Sequence, residues 1–132
     1  MLFRSTVEIE LLTRLGRIRE EELNDARGAI EALRRALDAG ADDLALLLSL
    51  DRLYERESLW SELDDVLERE IQHVDSRADI NALKFRQGRI REREFEDVSL
   101  AIAAYRDIVE SSPDNDEAMA ALEGLQIGRA HV

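Results

Sequence analysis

The sequence predicts an all-α protein, an α-solenoid of about three and a half antiparallel helical hairpins. Apolar residues recur at helical spacing almost throughout, and the chain contains a single proline. A block near the start also returns 72 positions later, which indicates a duplicated unit. Residues Arg14, Gly16, Arg17, Ile18, Arg19, Glu20, Glu22, Asp25, Ala29, Ile30, Ala32 and Arg34 return as Arg86, Gly88, Arg89, Ile90, Arg91, Glu92, Glu94, Asp97, Ala101, Ile102, Ala104 and Arg106.

The first two helices are predicted from apolar stripes, each of which we expect to face the core. The first stripe contains Val7, Leu11, Leu15 and Ile18, and the second contains Ala26, Ala29, Ile30, Leu33, Ala36 and Leu37. Between them, Asn24-Asp25 is a turn signal that also offers an N-cap. Gly40 suits the end of the second helix, because glycine adopts the left-handed conformation common after a helix.

The third and fourth helices follow the same logic. Asp42 is the expected cap of a third helix over roughly 43–56, which is apolar nearly all round and should lie between neighbours. Ser58 is the expected cap of the fourth helix. There Trp60 is in phase with Leu63 and Leu67, so we expect it in the inter-helix core.

Three more helices complete the chain. Asp75-Ser76 separates the fourth helix from a fifth, Asp97 opens a sixth, and Pro113 closes it. The apolar residues of the last three helices are Ile80, Leu83 and Ile90; Val98, Ala101, Ile102, Tyr105, Ile108 and Val109; and Ala118, Met119, Leu122 and Leu125.

The two ends stand apart from this pattern. Residues 127–132 can be encoded by a stretch that resembles a short-read sequencing adapter, and residues 1–5 by its reverse complement. We therefore expect residues 1–5 and 127–132 to be non-native scars, and residues 6–126 to be an internal fragment of a longer repeat protein. Two natural disordered tails are the alternative.

Composition excludes several classes of function. Acidic residues outnumber basic ones by 30 to 18, so the chain should repel nucleic-acid phosphates and anionic lipids, and neither is an expected partner. The absence of cysteine excludes disulfides and thiolate metal sites. The longest apolar run, residues 44–48, is far shorter than the ~20 residues that span a bilayer. We expect a soluble segment, with the cytoplasm favoured, and no cofactor.

Pairs of predicted helices recur about every 35 residues, so the 72-residue recurrence covers two pairs. This length and the motifs resemble the tetratricopeptide repeat (TPR), a helical hairpin of about 34 residues. The resemblance covers nearly all of residues 6–125. The matching motifs are Leu15-Gly16 with Ala29-x3-Leu33, Leu50-Asp51 with Tyr54 and Leu63-x3-Leu67, and Gly88 with Ala101-x3-Tyr105 and Pro113. Arg19 and Arg91 stand where the family has tyrosine, and other helical-hairpin repeats are alternatives.

The same resemblance implies a concave groove lined by the first helix of each helical hairpin. Its expected residues are Thr13, Arg17 and Glu20; Leu48, Arg52 and Glu55; and Phe85, Arg89 and Glu92. The three equivalent arginines suggest a mixed polar groove that holds an acidic peptide through arginine–carboxylate pairs. The alternative is that each arginine pairs with the glutamate three residues later, a surface contact worth about 0.3 kcal/mol. The asparagine and lysine signature of chaperone-tail clamps is absent at these positions.

We therefore expect a protein–protein interaction or scaffolding module with no catalytic activity and no metal site. His73 is the only histidine outside the expected scars, and the paired aspartates 42–43 and 64–65 lack the ligand spacing of a calcium loop. Two alternatives stay open. The chain could be a structural spacer or self-associating solenoid without a groove ligand, or an accessory region of an enzyme whose catalytic domain lies elsewhere.

Overall fold

The computed structural model describes the backbone of residues 2–130 and the side chains of residues 5–128. Within this range the chain forms seven α-helices and no strand, which confirms the all-α prediction. The helices are α1 (Leu2–Glu21), α2 (Ala26–Asp38), α3 (Leu44–Arg56), α4 (Trp60–Ile71), α5 (Arg77–Arg93), α6 (Val98–Ser111) and α7 (Asp116–Ala130). Residues 1, 131 and 132 of the expected scars lie outside the described residues.

The chain divides into two compact units, Met1–Val66 and Leu67–Val132, and the boundary falls within α4. In the first unit α1 packs against α2 and α2 against α3; in the second, α5 packs against α6 and α6 against α7. The core of the second unit contains Ala101, Ile102, Tyr105 and Leu122, with Phe85 packed against it.

The α1–α2 and α5–α6 hairpins have the same capped connection. Asp25 caps α2 by accepting a hydrogen bond from the Gly28 amide at 3.0 Å. Asp97 caps α6 by accepting from the Leu100 amide at 3.1 Å. Both caps were expected from the sequence and are confirmed, and they fix the start of the second helix at equivalent places in the two hairpins.

The turn before each cap is also repeated. Asn24 and Glu96 both have a φ of 51°, in the left-handed region. The amide after each of them donates back to the preceding helix, at 2.7 Å to the Arg19 carbonyl and 2.9 Å to the Arg91 carbonyl. Arg19 also donates from Nη1 to the Gly28 carbonyl at 2.9 Å, so this departure from the family tyrosine stabilises the start of α2.

Helix α2 ends at Asp38, near Gly40 as predicted, and Gly40 has a φ of 110°. The Ala41 amide donates to the Ala36 carbonyl at 3.0 Å, as in a left-handed helix termination. The cap of α3, however, is Asp43 and not the predicted Asp42. Asp43 has an extended backbone and accepts from the Leu46 amide at 2.8 Å, because its side chain stands three residues before that free amide.

Ser58 was predicted to cap α4, and this prediction is also wrong. Ser58 has a φ of 57° and terminates α3, and the Leu59 amide donates to the Tyr54 carbonyl at 2.9 Å. A left-handed residue that ends one helix lacks the backbone conformation of an N-cap for the next. Trp60, predicted in the core, is half-buried, whereas Leu63 and Leu67 are fully buried.

The predicted core stripe of α1 is on the wrong face. Val7, Leu11 and Ile18 are exposed, and only Leu15 of that stripe is half-buried. Helix α1 instead buries Leu12, and it contacts α2 through Gly16, where an added Cβ would lie 2.9 Å from Leu33 Cγ. Because Gly16 has no side chain, the two helices pack closely on its side of α1. Val7, Leu11 and Ile18 lie on another side of the helix.

Helix α3 buries one side of its apolar surface. Leu47, Leu50 and Leu53 are fully buried, as the sequence suggested, but Leu48 is 49% exposed. Leu48 lies one turn before Arg52, so the two residues share one exposed side of α3.

Candidate functional site

Four predicted groove residues meet at one cavity in the first unit. Thr13, Arg17 and Glu20 of α1 and Arg52 of α3 line a space of about 120 Å³. They converge because residues three and four apart share a helix face, and α3 presents Arg52 to that face of α1. The other two predicted residues of this unit, Leu48 and Glu55, are exposed and do not line the cavity.

Arg52 and Glu20 form a bidentate ion pair across the cavity. Nη2 of Arg52 donates to Oε1 of Glu20 at 3.1 Å, and Nη1 donates to Oε2. The Glu20 side chain is 14% exposed and that of Arg52 is 56% exposed. The hydrogen bond from Arg52 lowers the pKa of Glu20, and the same bond raises the pKa of Arg52. This pair joins two hairpins, so it differs from the predicted alternative of a pair within one helix.

The other two residues have different surroundings. Thr13 donates from Oγ1 to the Ile9 carbonyl at 2.8 Å, so its proton is held by the helix and its oxygen lone pairs are left to accept. Arg17 is exposed at the rim of the cavity. The lining also includes Glu21 and Asp43, so it carries three carboxylates and two guanidinium groups.

The predicted residues of the second unit are arranged differently. The guanidinium carbon of Arg89 lies 5.0 Å from the ring centroid of Phe85, within the range of a cation–π contact. The Phe85 and Tyr105 rings are 5.4 Å apart. Glu92 accepts a hydrogen bond from the Tyr105 hydroxyl at 2.9 Å. Burial, together with this bond to a carboxylate, raises the pKa of Tyr105.

A second cavity, of about 570 Å³, includes only Phe85 among the predicted residues. It also contains Asn81, which sequence reasoning missed. Asn81 is 7% exposed and donates from Nδ2 to the Ser112 hydroxyl at 2.9 Å, while its buried Oδ1 has no hydrogen-bond partner. The available signal was an amide side chain within the apolar pattern of α5, one turn before Phe85.

The described side chains contain no group of three or more His, Cys, Asp or Glu residues able to hold a metal ion. Among the described helices, none is long and apolar enough to cross a membrane.

Known structures share this fold. No family model and no curated protein matches the chain. Solved structures do: the N-terminal domain of stress-induced protein-1 (STI-1) from C. elegans matches with a TM-score of 0.63 and 16% identity, over 92% of this chain and 97% of that one. MamA matches with a TM-score of 0.60 and 17% identity, over 92% and 68% of the two chains.

The first TPR of Spaghetti (RPAP3), solved with the HSP90 peptide SRMEEVD, matches with a TM-score of 0.55 and 17% identity, over 93% of this chain and 94% of that one. These neighbours are TPR domains, so the predicted likeness of the fold to TPR arrays is confirmed.

Proposed function

We propose that this chain is a protein-interaction module that binds a peptide segment on the α1–α3 surface of the first unit. The observation that carries the proposal is the convergence of Thr13, Arg17, Glu20 and Arg52 on one cavity. Leu48 and Glu55, exposed on α3, extend the same surface. The fold supports this role, because helical repeats commonly present extended binding surfaces.

The sequence suggested an acidic peptide, and the charged groups that line the cavity narrow the expected composition of that peptide further. Both arginines of the lining are exposed, but Arg52 is already paired with Glu20, so Arg17 is the guanidinium that we expect to bind the peptide. A peptide carboxylate can accept two hydrogen bonds from Arg17. Glu21 and Asp43 in the same lining disfavour a run of acids. The expected ligand is therefore a mixed-charge peptide, with one acidic residue at Arg17 and a basic residue near Glu21.

The second unit supplies a related surface in this proposal. Half-buried Phe85 lies beneath the guanidinium of half-buried Arg89, and Glu92 is held by Tyr105, so this surface offers one charged group beside an aromatic ring. RPAP3 is an example of a TPR with a bound peptide. Because the asparagine and lysine clamp signature is absent here, we expect the peptide SRMEEVD to bind this chain weakly.

Selection from a library of random ten-residue peptides displayed on phage would test the proposal. We expect enriched sequences to place Asp or Glu beside Lys or Arg. For a selected peptide, Arg17→Ala should raise the Kd about tenfold, the scale of one lost charge-assisted hydrogen-bond pair. Arg35→Ala, which removes an exposed arginine from α2, is the matched control and should leave the Kd unchanged.

Higher salt should weaken binding, because the pairing at Arg17 is exposed to solvent. The proposal fails if no peptide is enriched, or if the Kd is the same for Arg17→Ala and the wild type. Arg52→Glu should abolish binding too, but it places a second carboxylate against Glu20 and so also disturbs the fold. Arg52→Ala is the cleaner variant.

A further inference from the structure

The cavity of about 570 Å³ is formed entirely by residues of the second unit, so it is not part of the α1–α3 surface. It lies between the start of α5 and the loop that joins α6 to α7. On α5, Ala78, Asn81, Ala82 and Phe85 follow one another at intervals of three and four residues, so they share one face of the helix. The two small alanines leave room on this face, and Phe85 adds an aromatic ring to the wall.

Asn81 has a buried acceptor that the fold leaves without a hydrogen bond. Its side chain is 7% exposed, and Nδ2 donates to the Ser112 hydroxyl at 2.9 Å. Among the described residues, none donates to Oδ1. A buried amide oxygen without a donor is unfavourable. The terminal torsion of an asparagine side chain is soft, so a small turn of the amide brings Oδ1 towards a donor in the cavity.

The first hairpin shows that the repeated scaffold does not need this amide. With the 72-residue offset, Ile9 stands at the position of Asn81 and Gly40 at the position of Ser112. Ile9 is half-buried, and an apolar side chain there avoids the cost of burying an amide. The pair of Asn81 with Ser112 therefore belongs to the second unit alone, and the stability of a helical hairpin does not account for it.

The charged groups of the cavity favour a positively charged ligand. The lining contains two exposed carboxylates, Asp114 and Glu117, and one basic residue, Arg77. Helix α7 begins here, but the Ala118 amide already donates to Asn115 Oδ1 at 3.0 Å. Glu117 stands in the first turn of α7, where a carboxylate offsets the positive end of the helix. The cavity therefore offers more acceptors than donors to a ligand.

We propose that this cavity binds the arginine side chain of a partner peptide, and that Asn81 selects it. A guanidinium group has five donors in one plane, enough for Asn81 Oδ1 and for the carboxylates of Asp114 and Glu117. Its apolar stem packs on the alanines and the aromatic ring of the α5 face. Arg77, one turn before Asn81, is left to donate to a main-chain carbonyl of the same peptide. The site takes the opposite charge from Arg17 in the first unit and does not depend on that site.

A titration of the full, ¹⁵N-labelled chain followed by NMR tests the proposal residue by residue. The probe is the tripeptide acetyl-Ala-Arg-Ala-amide, and the matched control peptide has norleucine in place of arginine. We expect the arginine peptide to shift the side-chain amide signals of Asn81 in a saturable way, with a Kd of about 1 mM. The norleucine peptide should bind at least about tenfold more weakly, because it supplies no donor to the acceptors of the cavity.

Two variants of the chain separate binding from folding. Asn81→Ile introduces the residue of the first hairpin, so it should keep the Tm within about 1 °C or raise it, and it should raise the Kd about tenfold. Glu117→Gln removes one exposed carboxylate and should raise the Kd about threefold. Arg17→Ala is the matched control in the first unit and should leave this Kd unchanged, so failure of the first site is distinguishable from failure of this one.

Four results would overturn the inference. The first is equal binding of the arginine and norleucine peptides, and the second is an unchanged Kd in Asn81→Ile and Glu117→Gln. The third is a fall in Tm of several degrees in Asn81→Ile, because the amide would then be structural. The fourth is free L-arginine that binds as tightly as the tripeptide, because the ligand would then be the amino acid and not a peptide.

Discussion

The α1–α2 and α5–α6 hairpins share their turns and caps, yet their equivalent glutamates make different contacts. In the second hairpin, Glu92 accepts from the hydroxyl of Tyr105 within the same hairpin. In the first, the position of Tyr105 is taken by Leu33, which has no hydroxyl. Glu20 instead pairs with Arg52 on the next helix. Two differences thus accompany the change of partner: Leu33 offers no hydroxyl to Glu20, and Gly124, at the position equivalent to Arg52, offers no guanidinium to Glu92.

The difference bears on function. A carboxylate held within a hairpin stabilises that hairpin and contributes little to a surface. A carboxylate paired across α1 and α3 helps form the cavity lined by Arg17 and Thr13. The repeated backbone is therefore common to both units, while the cavity lined by Thr13, Arg17, Glu20 and Arg52 belongs to the first.

The largest expected effect concerns the glycines of the two helix crossings. An added Cβ at Gly88 would lie 2.8 Å from two ring atoms of Tyr105, which is fully buried and held at its hydroxyl. We expect Gly88→Ala to lower the free energy of unfolding by about 2–3 kcal/mol. At Gly16 the obstacle is the smaller Leu33, and the loss should be about 1 kcal/mol. Urea unfolding followed by circular dichroism measures both, and equal losses would contradict the comparison.

The next effect tests the bond that distinguishes the hairpins. Tyr105→Phe leaves Glu92 without its donor, and we expect a loss of about 1.5 kcal/mol in unfolding free energy. The raised pKa of Tyr105 adds a pH signature. A raised folded pKa gives stability that is complete below the unfolded pKa of about 10 and lost as pH rises above it. Tyr105→Phe should flatten the alkaline fall in Tm, and an unchanged profile would contradict this account.

The pair in the first hairpin should matter less for stability, because Arg52 is largely exposed. We expect Arg52→Ala to cost about 0.5 kcal/mol, and less at high salt. The lowered pKa of Glu20 means that its contribution is present above the unfolded pKa of about 4.3 and lost as pH falls through the folded value. The difference in Tm between wild type and Arg52→Ala should therefore vanish in acid. A difference that persists at pH 2 would show a packing role.

The smallest effect concerns the two ends. If residues 1–5 and 127–132 are scars, both hairpins should keep their stability without them. Removal should change the unfolding free energy by less than about 0.5 kcal/mol, the scale of neutral surface changes. Gly124 and Gly128 have open space where a side chain would be, in keeping with a weakly packed end of α7. A fall in Tm of several degrees on trimming would show that the ends are structural.

The sequence predicted the fold from local signals, and its errors at the helix caps were also local. The caps at Asp25 and Asp97 and the stop at Gly40 follow from short-range chemistry, so they were predictable. The cap of α3 is Asp43, one residue later than predicted, and Ser58 ends α3 instead of capping α4. Adjacent candidates such as Asp42 and Asp43 have the same side chain, and only the final backbone decides which one caps.

The site was less predictable, because its contacts are long-range. Periodicity finds apolar stripes in α1 but cannot say which one meets α2, and so Leu11 was placed inside. The resemblance to TPRs placed Arg52 and Glu20 on one surface, yet their mutual pair spans 32 residues, which local patterns do not predict. Their role in binding stays a prediction.

The repeated turns have a kinetic consequence. In each hairpin the hydrogen bonds that close the turn join residues only five or six apart, such as the Leu23 amide with the Ile18 carbonyl and the Asp25 amide with the Arg19 carbonyl. Contacts this close in sequence need little loop closure, and chains rich in them fold fast. We therefore expect each hairpin to form early and by itself, with the slower step being the docking of formed hairpins on one another.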